Sequence, residues 1–356
     1  MERIDIKSLN YQELIEEVEK LGEKSFRGKQ IYEWLHKKAV MDFDEMTNLS
    51  KTLREKLKEK FYIAGTTMLE KLESKDGCTT KFLFSLDDGS VIESVLMKYK
   101  HGNSVCISSQ VGCRMGCKFC ASTLGGLERN LSVSEMLGQI YAIQNISGER
   151  VSNVVVMGTG EPLDNYDNLV KFIHMLTDEY GYHISQRNIT VSTCGLVEKI
   201  HMLAQEKLQI TLAISLHAPN DEVRKTLMPV ANRYTIAEIM DACTAYFEIT
   251  GRRISFEYSL VKGVNDTEEY AKELGNLLHR KNCHVNLIPV NPIKERDYKD
   301  SDTNFVKNFK LTLEKFGINV TIRREMGRDI DAACGQLRKR YMDKMEEGDH
   351  EDIFHN

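Results

Sequence analysis

Residues 105–130, VCISSQVGCRMGCKFCASTLGGLERN, contain four of the nine cysteines of the chain. Three of these cysteines, Cys113, Cys117 and Cys120, have the spacing C-x3-C-x2-C. Gly112 and Gly116 make the segment rich in turns, which allows three thiolates to converge on one small inorganic centre. Thiolates are soft ligands, so the spacing predicts a site for zinc or for an iron–sulfur cluster.

The number of cysteines bears on the choice between these two centres. A structural zinc ion takes four protein ligands, usually from paired C-x2-C knuckles, and the sequence has no second knuckle. An electron-transfer [4Fe–4S] cluster also takes four thiolates. Cys106 lies seven residues before Cys113, across a predicted strand. Three cysteines without an obvious fourth therefore favour a [4Fe–4S] cluster with one iron open to another ligand, and zinc is the less favoured alternative.

The composition is that of a globular protein of 356 residues with 41% apolar residues and a formal net charge of −5. This charge gives no global argument for binding nucleic acid, so such a partner has to be met by local basic patches. The amino terminus lacks the apolar core of a signal peptide, and no run reaches the length of a membrane span. An odd number of cysteines without an export signal indicates a reducing compartment. We therefore expect a cytoplasmic protein that does not enter a membrane.

Changes of periodicity divide the chain into four segments. Residues 1–64 are helical, and residues 51–60, KTLREKLKEK, carry five basic side chains. These charges are either a solvated helix face or the phosphate-contacting surface of an accessory RNA-binding domain. In residues 65–102, apolar and polar residues alternate on both sides of the turn signal Asp87-Asp88-Gly89, which predicts a β-hairpin linker. Residues 103–335 form the core domain, and residues 336–356 form a tail.

From residue 103 onward, strand-like and helix-like segments alternate. Six near-continuous apolar strands are each followed by an amphipathic helix, and a shorter strand at residues 319–324 comes last. This alternation predicts an α/β fold in which helices cover a parallel sheet. Six units are fewer than the eight of a closed barrel. No G-x-G-x-x-G opens a helix after the first strand, so a partial, open (β/α)6 barrel is favoured over a doubly wound sheet.

Polar residues recur at the points where the predicted strands end. In parallel α/β folds, ligands bind at the carboxyl ends of the strands. Each residue alone could be a helix cap or a turn former, but their recurrence beside the cysteine loop indicates one shared ligand site. The predicted ligand-binding residues are Gly160, Glu161, Ser192, Ser215, Leu216, His217 and Asn291.

These motifs resemble those of the RlmN type of radical S-adenosylmethionine (SAM) enzymes, the dual-specificity rRNA/tRNA adenine-C2 methyltransferases. The resemblance extends over nearly the whole chain and includes SSQVGCRMGCKFCAST at 108–123, VVMGTGEPLDN at 155–165, AISLHAPND at 213–221, HVNLIPVNP at 284–292 and DIDAACGQL at 329–337. It implies a radical SAM barrel whose three cysteines hold the [4Fe–4S] cluster, with SAM at the strand ends. The sister Cfr family, which methylates carbon 8 of the same rRNA adenosine, is the alternative, and the choice of C2 depends on similarity only.

The resemblance also implies three catalytic residues. Carbon 2 of adenine is electrophilic and cannot attack the methyl group of SAM directly. By position, Cys334 is the cysteine that one SAM methylates, and a second SAM gives the 5′-deoxyadenosyl radical that takes hydrogen from this methyl group. Glu93 corresponds to the base that removes the C2 proton. Cys106 corresponds to the cysteine that attacks Cys334, releases the RNA and leaves a disulfide.

The partners that the resemblance implies are 23S rRNA, tRNA and a flavodoxin- or ferredoxin-type electron donor, and we expect a monomer. Two other classes stay open at this point, namely a zinc-dependent RNA-binding module without catalysis and a radical SAM enzyme with another substrate. The candidates for phosphate contacts are residues 51–60, Lys37, Lys38, Arg323, Arg324, Arg328, Arg338, Lys339 and Arg340.

Overall fold

The computed structural model describes residues 3–100, 102–290, 298–299, 301–323, 330 and 336–346. Two predicted site residues, Asn291 and Cys334, lie outside the described residues, as do two of the candidate phosphate contacts, Arg324 and Arg328.

The amino-terminal module consists of β1 (Ile4–Asp5), α1 (Tyr11–Lys20), α2 (Ser25–His36), α3 (Lys51–Lys60) and β2 (Phe61–Tyr62). Strands β1 and β2 pair in parallel and close the module. A capping box starts α1, because the Asn10 side chain accepts the Glu13 N–H and the Glu13 side chain accepts the Asn10 N–H. Each helix buries its apolar stripe in the common core, so the helical character predicted for residues 1–64 is confirmed.

Three antiparallel strands follow, β3 (Thr66–Glu73), β4 (Thr79–Leu86) and β5 (Val91–Tyr99), and we call them the antiparallel wing. The predicted hairpin around residues 87–89 joins β4 and β5, with the Leu86 N–H donating to the Ser90 carbonyl at 2.9 Å. Strand β3 was not predicted. The wing continues into the main sheet, because β5 pairs antiparallel with the first strand of the core.

The core and tail contain the remaining elements. In chain order these are β6 (Gly102–Cys106), β7 (Gln110–Gly112), β8 (Leu127–Asn130), α4 (Val133–Ser147), β9 (Val151–Val156), α5 (Tyr166–Thr177), β10 (Ile189–Thr193), α6 (Val197–Gln205), β11 (Thr211–Ser215), α7 (Asp221–Leu227), α8 (Ile236–Thr250), β12 (Ile254–Leu260), α9 (Glu268–Leu278), β13 (Cys283–Pro289), α10 (Thr303–Lys315), β14 (Asn319–Ile322) and α11 (Gln336–Glu346).

Ten strands form one open sheet in the order β14-β13-β12-β11-β10-β9-β6-β5-β4-β3. Strands β6 and β9 to β14 run parallel, and the wing adds the three antiparallel strands. Strands β14 and β3 are the opposite edges of this order, so the sheet does not close on itself. The predicted α/β fold with a partial (β/α)6 barrel is therefore confirmed. Within the described residues, every helix is too short or too polar to cross a lipid bilayer.

The strand register defines which side chains share a face of the sheet, because paired residues point the same way. Val95 pairs with Cys106, Cys106 with Val155, Val155 with Thr190 and Thr190 with Thr211. Residues two positions further along a strand lie on the same face. We call this face the inner face, and its members include Lys81, Glu93, Cys106, Ser192, Ser215, Glu257 and Asn286. The opposite face is apolar and lies under the helices.

Candidate active site

A small hairpin made of β7 and β8 encloses the cysteine loop. At its base, Gly112 has a φ of +75°, and a Cβ on this residue would lie 2.0 Å from the Gly126 carbonyl oxygen. The Cys113 N–H donates to that same carbonyl at 2.7 Å. A residue with a side chain cannot occupy position 112 without opening the hairpin, so glycine fixes where the loop begins.

The three motif cysteines lie on this loop between β7 and β8. Burial, with a smaller contribution from the neighbouring Cys120, raises the pKa of Cys113 to about 12. Burial also raises the pKa of Cys117, with Cys120 and Cys113 as further contributors. These mutual effects mean that the three thiols lie near one another. Buried thiols become thiolates when a cationic centre replaces the lost hydration, as the irons of a cluster do.

The donor arrangement also bears on which metal centre the loop fits. Within the described residues, no three His, Cys, Asp or Glu side chains form a group that could hold one metal ion. A cubane cluster distributes three thiolates over three different irons, so its ligands stand further apart than those of a single zinc ion. Cys113, Cys117 and Cys120 are the three cysteines of this loop, and three thiolates without a fourth fit a cluster that has one iron open to another ligand.

The loop that follows β9 carries two of the predicted ligand-binding residues, Gly160 and Glu161. Gly160 has a φ of +112°, and a Cβ there would lie 2.6 Å from the Gln110 Cβ and 2.8 Å from the Ser109 Oγ. The Glu161 N–H donates to the Gln110 Oε1 at 2.8 Å. The loop after β9 is thus packed directly against the segment that leads into the cysteine hairpin.

The Glu161 carboxylate is buried among backbone donors. Its Oε1 accepts the Leu163 N–H at 3.0 Å, and its Oε2 accepts the Cys194 N–H at 2.7 Å. Burial raises the pKa of Glu161, and the bond from Cys194 opposes this rise. The side chains of Thr193 and Cys194 also donate to this carboxylate, and all of these donors are uncharged, so an ammonium group would be its cationic donor. A bound ammonium would also balance the buried negative charge.

Two serines on neighbouring strands lie together on the inner face. The Ser192 Oγ on β10 is 3.2 Å from the Ser215 Oγ on β11. Leu216 follows Ser215 and is completely buried, so only its backbone is available to the site. Its N–H donates to the Glu257 carbonyl at 3.1 Å. The structure therefore brings Ser192 and Ser215 together and assigns the Leu216 side chain to the core.

His217 connects the end of β11 to the cysteine loop. Its ring packs edge-on against Phe119, with 4.8 Å between the ring centroids, and Phe119 lies between two motif cysteines. The His217 Nδ1 accepts the Ser259 N–H at 2.9 Å, so Nε2 carries the proton of the neutral ring. Burial lowers the pKa of His217 to about 3, which keeps the ring neutral at physiological pH. His217 can therefore donate one hydrogen bond from Nε2 to a ligand beside the loop.

Arg224 on α7 is a completely buried residue that the sequence interpretation missed. Its guanidinium donates to the Cys194 carbonyl at 2.6 Å and to the Leu216 carbonyl at 3.2 Å, which ties the ends of β10 and β11 together. Burial lowers the pKa of Arg224, while the neighbouring Cys194 and Cys117 oppose this. No local pattern in residues 221–227 distinguishes this arginine from a solvent-exposed one.

A second missed residue, Glu257, lies on β12 and belongs to the inner face. Its Oε2 accepts from the Asn286 side chain at 2.8 Å, and its Oε1 accepts from the Ser255 hydroxyl at 3.1 Å. Burial raises the pKa of Glu257. The available sequence signal is a carboxylate inside the otherwise apolar strand segment FEYSL. It lies beside Ser215 in the register and extends the polar surface of the site.

The two described residues with predicted catalytic roles, Glu93 and Cys106, lie on adjacent strands. Cys106 is the last residue of β6 and pairs with Val95 of β5, two positions after Glu93. Both side chains are buried on the inner face. The Glu93 carboxylate lies 3.2 Å from the Lys81 Nζ, and it also accepts the Arg338 N–H at the start of α11. The eight described cysteines form no disulfide with one another.

The basic residues of α3 are largely paired with acidic residues of the same module. Lys58 lies 2.9 Å from Asp44, and Lys60 lies 2.6 Å from Glu17. Lys56 contacts Glu23 at 3.1 Å. These ion pairs offset much of the positive charge that the sequence shows for residues 51–60. Contact between this helix and RNA stays a prediction.

Comparison with family models divides the chain much as its motifs do. Residues 4–63 match the model described as the ribosomal RNA large subunit methyltransferase N-terminal domain. Residues 107–274 match the model of the radical SAM superfamily. The second match begins just after β6 and contains the cysteine loop.

Similar proteins cover nearly the whole chain. A protein of Lachnoclostridium phytofermentans, named a probable dual-specificity RNA methyltransferase RlmN, is 66% identical over 96% of each chain. A protein of the same name from Lachnospira eligens is 66% identical over 97% of this chain and 99% of its own length. The crystal structure of a radical SAM methyltransferase from Sphaerobacter thermophilus superposes with a TM-score of 0.90, at 42% identity, over 94% of this chain and 98% of its own.

Proposed function

Because the chain belongs to the RlmN family of radical SAM dual-specificity RNA methyltransferases, we propose that it makes 2-methyladenosine in 23S rRNA and in tRNA. The rRNA target is an adenosine of the peptidyl-transferase loop, and the tRNA target is the adenosine next to the anticodon. The observation that carries the proposal is the position of Glu93 and Cys106 on one inner face, at whose carboxyl edge the cysteine loop lies.

The cofactors of this family are a [4Fe–4S] cluster and SAM. Cys113, Cys117 and Cys120 would hold the cluster, and the bound cluster would supply the electron that cleaves SAM to methionine and a 5′-deoxyadenosyl radical. Glu161 accepts hydrogen bonds from the ammonium group of SAM, since its carboxylate is buried and forms no ion pair with a Lys, Arg or His side chain in the described part of the chain. The Ser192 and Ser215 hydroxyls and the His217 Nε2 donate to the carboxylate or to the ribose.

Cys334 carries the carbon that reaches the RNA. Its thiolate attacks the methyl group of one SAM, so that an S–CH3 bond forms and S-adenosylhomocysteine leaves. A 5′-deoxyadenosyl radical from a second SAM would take one hydrogen atom from this methyl group and leave as 5′-deoxyadenosine, and the remaining methylene radical adds to carbon 2 of the adenine. The target base has to leave its stack to reach the inner face, at a cost of about a few kcal/mol.

Glu93 and Cys106 complete the transfer. Once the carbon–carbon bond has formed, the Glu93 carboxylate takes the proton from carbon 2 and the adduct gives up its unpaired electron, which the oxidised cluster would accept, so that the aromatic ring is restored. The Cys106 thiolate then attacks the Cys334 sulfur and breaks its bond to carbon. The released RNA carbon takes a proton and becomes a methyl group, and the two cysteines are left as a disulfide. A reductant of the flavodoxin or ferredoxin type supplies electrons to the cluster, and the disulfide has to be reduced before the next cycle.

The test is an anaerobic reaction with SAM that carries a fully deuterated methyl group, followed by mass analysis of the modified adenosine. Methylene transfer predicts that the new methyl group keeps two deuterium atoms and gains one hydrogen. Direct transfer predicts three deuterium atoms and would contradict the proposal. Chromatographic identification of 8-methyladenosine instead of 2-methyladenosine would assign the Cfr reaction.

Cysteine variants separate the proposal from the other classes. Cys334→Ala should abolish RNA methylation and should leave SAM cleavage intact, whereas Cys117→Ala should abolish both. Cys78→Ala is the matched control, because Cys78 lies in the turn between β3 and β4, remote in sequence from the cysteine loop. Full RNA methylation by Cys334→Ala would indicate a radical SAM enzyme of another kind. Zinc without labile sulfide in anaerobically purified protein would indicate the zinc-binding module.

A further inference from the structure

The Glu93 carboxylate is held from two sides in the structure. Its Oε2 lies 3.2 Å from the Lys81 Nζ, with 4% and 0% of the two side chains exposed. Its Oε1 accepts the backbone N–H of Arg338, in the first turn of α11. A general base needs only a proton acceptor near its target, so the bond to the carboxyl-terminal helix requires a separate explanation.

Helix α11 packs on the antiparallel wing around this bond. Leu337 is completely buried in a cluster with Leu83 and Val91. The Arg338 Nε donates to the Val91 carbonyl at 2.8 Å, and Arg340 pairs with Glu70 at 2.8 Å. The carboxylate of Glu93 is therefore the buried polar centre of the contact between α11 and the wing.

The position of this contact within the helix makes a carboxylate the suitable acceptor. The first four N–H groups of a helix have no acceptor within the helix, and the N–H of Arg338 is one of them. A negative charge near a helix amino terminus is also favoured by the helix dipole. Lys81 balances the charge of Glu93. Lys81 and Arg338 together fix the orientation of the Glu93 carboxylate, so that its Oε1 faces α11.

We propose that Glu93 has a second role that precedes RNA binding: with Lys81 as its positioning residue, it anchors the first turn of α11 and so keeps Cys334 within reach of SAM. Cys334 precedes Arg338 by four residues, and four residues of chain span at most about 14 Å. Fixing Arg338 therefore limits how far the Cys334 thiol can lie from the inner face. This inference depends on the proposed function, in which Cys334 is the methyl carrier.

Two double variants separate anchoring from base catalysis. Lys81→Met/Glu93→Gln removes both charges of the buried pair but keeps a side-chain oxygen that can accept the Arg338 N–H. Lys81→Met/Glu93→Leu removes this acceptor as well, at nearly the same side-chain volume. Replacing both members of a buried ion pair with neutral residues of similar size is commonly tolerated. Lys71→Met is the control for loss of a lysine on the wing, since Lys71 is solvent-accessible and pairs with Glu73.

The measurements use the anaerobic holoenzyme and need no RNA for the first two readouts. Intact mass reports the rate at which Cys334 gains its methyl group from SAM, and amide hydrogen exchange reports the protection of residues 336–346. The Gln double variant should match the wild type in both. The Leu double variant should methylate Cys334 on the order of tenfold more slowly and exchange its α11 amides faster by a similar factor, because it has lost one buried hydrogen bond. Both double variants should fail to methylate RNA, since both lack the carboxylate base.

The possible failures can be told apart. If the Leu double variant methylates Cys334 at the wild-type rate and α11 keeps its protection, the anchoring role is wrong, while the proposed function stands. If the wild type never gains a methyl group on Cys334, the proposed function itself is wrong. If the Gln double variant loses protection of α11 as severely as the Leu variant, the oxygen acceptor is not what holds the helix, and the inference is overturned.

Discussion

Acid sensitivity of the fold gives a quantitative prediction about His36. This residue is completely buried on α2, its Nδ1 lies 3.0 Å from the Tyr141 hydroxyl, and its ring packs on Tyr32. Its Nε2 has no hydrogen-bond partner in the described part of the chain. Burial, with a smaller contribution from the charge of Lys7, lowers the pKa of His36 to about 3. The folded protein therefore keeps His36 neutral.

The sign and size of the effect follow from proton linkage. The unfolded chain binds a proton at His36 below a pKa of about 6.5, whereas the folded chain does not until about pH 3. The stability that neutral His36 allows is complete above pH 6.5 and is lost as the pH falls from there towards 3. Between pH 7.5 and 5.5 the unfolded histidine gains a factor of about ten in proton binding, which is about 1.4 kcal/mol.

The assay is equilibrium urea unfolding of the wild type and of His36→Phe at pH 7.5 and pH 5.5. The variant lacks the titrating group, so the stability of the wild type relative to the variant should fall by about 1.4 kcal/mol between the two pH values. Buried carboxylates such as Glu161, whose pKa burial raises, act equally in both proteins and cancel in this comparison. His174→Phe is the control for replacing a histidine with phenylalanine, because His174 is solvent-exposed on α5. A relative stability of His36→Phe that stays constant within about 0.3 kcal/mol would refute the reasoning.

The remaining predictions concern the packing of the site. Gly160→Ala should destabilise the fold by about 3 kcal/mol and weaken SAM binding. The new Cβ would lie 2.6 Å from the Gln110 Cβ, and a φ of +112° is unfavourable for alanine. Gly125→Ala is the control, because its new Cβ would have no atom within 4 Å, and it should lower the free energy of unfolding by less than about 0.5 kcal/mol. Urea unfolding measures the stability of both variants, and SAM titration measures their binding of SAM. Arg224→Met should lose about 3–5 kcal/mol in unfolding free energy, since it leaves buried carbonyls at the ends of β10 and β11 without donors. Arg233→Met, at a surface arginine, should change it by less than about 0.5 kcal/mol, and equal losses would contradict the assigned role of Arg224.

Features that depend on neighbouring residues could be predicted well from the sequence. The spacing of Cys113, Cys117 and Cys120 lies within eight residues, so it indicates a shared ligand whatever the rest of the chain does. Apolar strands that alternate with amphipathic helices gave the open α/β barrel, because burial on one face imposes a period on each element. The rule that ligands lie at the carboxyl ends of parallel strands then grouped Glu161, Ser192 and His217, which the structure places near the cysteine loop or on the inner face beside it.

Features that depend on register and on long-range packing were decided only by the tertiary structure. The sequence contains Lys81, Glu93 and Arg338, but their contact joins residues up to 245 positions apart and exists only because the wing pairs with β6 and α11 packs across it. Arg224 looks like an exposed helical cation until α7 turns it under the ends of β10 and β11. A local sequence pattern indicates which side of a helix or strand is apolar. Which element packs against that side depends on the free energy of the complete fold, so it is known only from the tertiary structure.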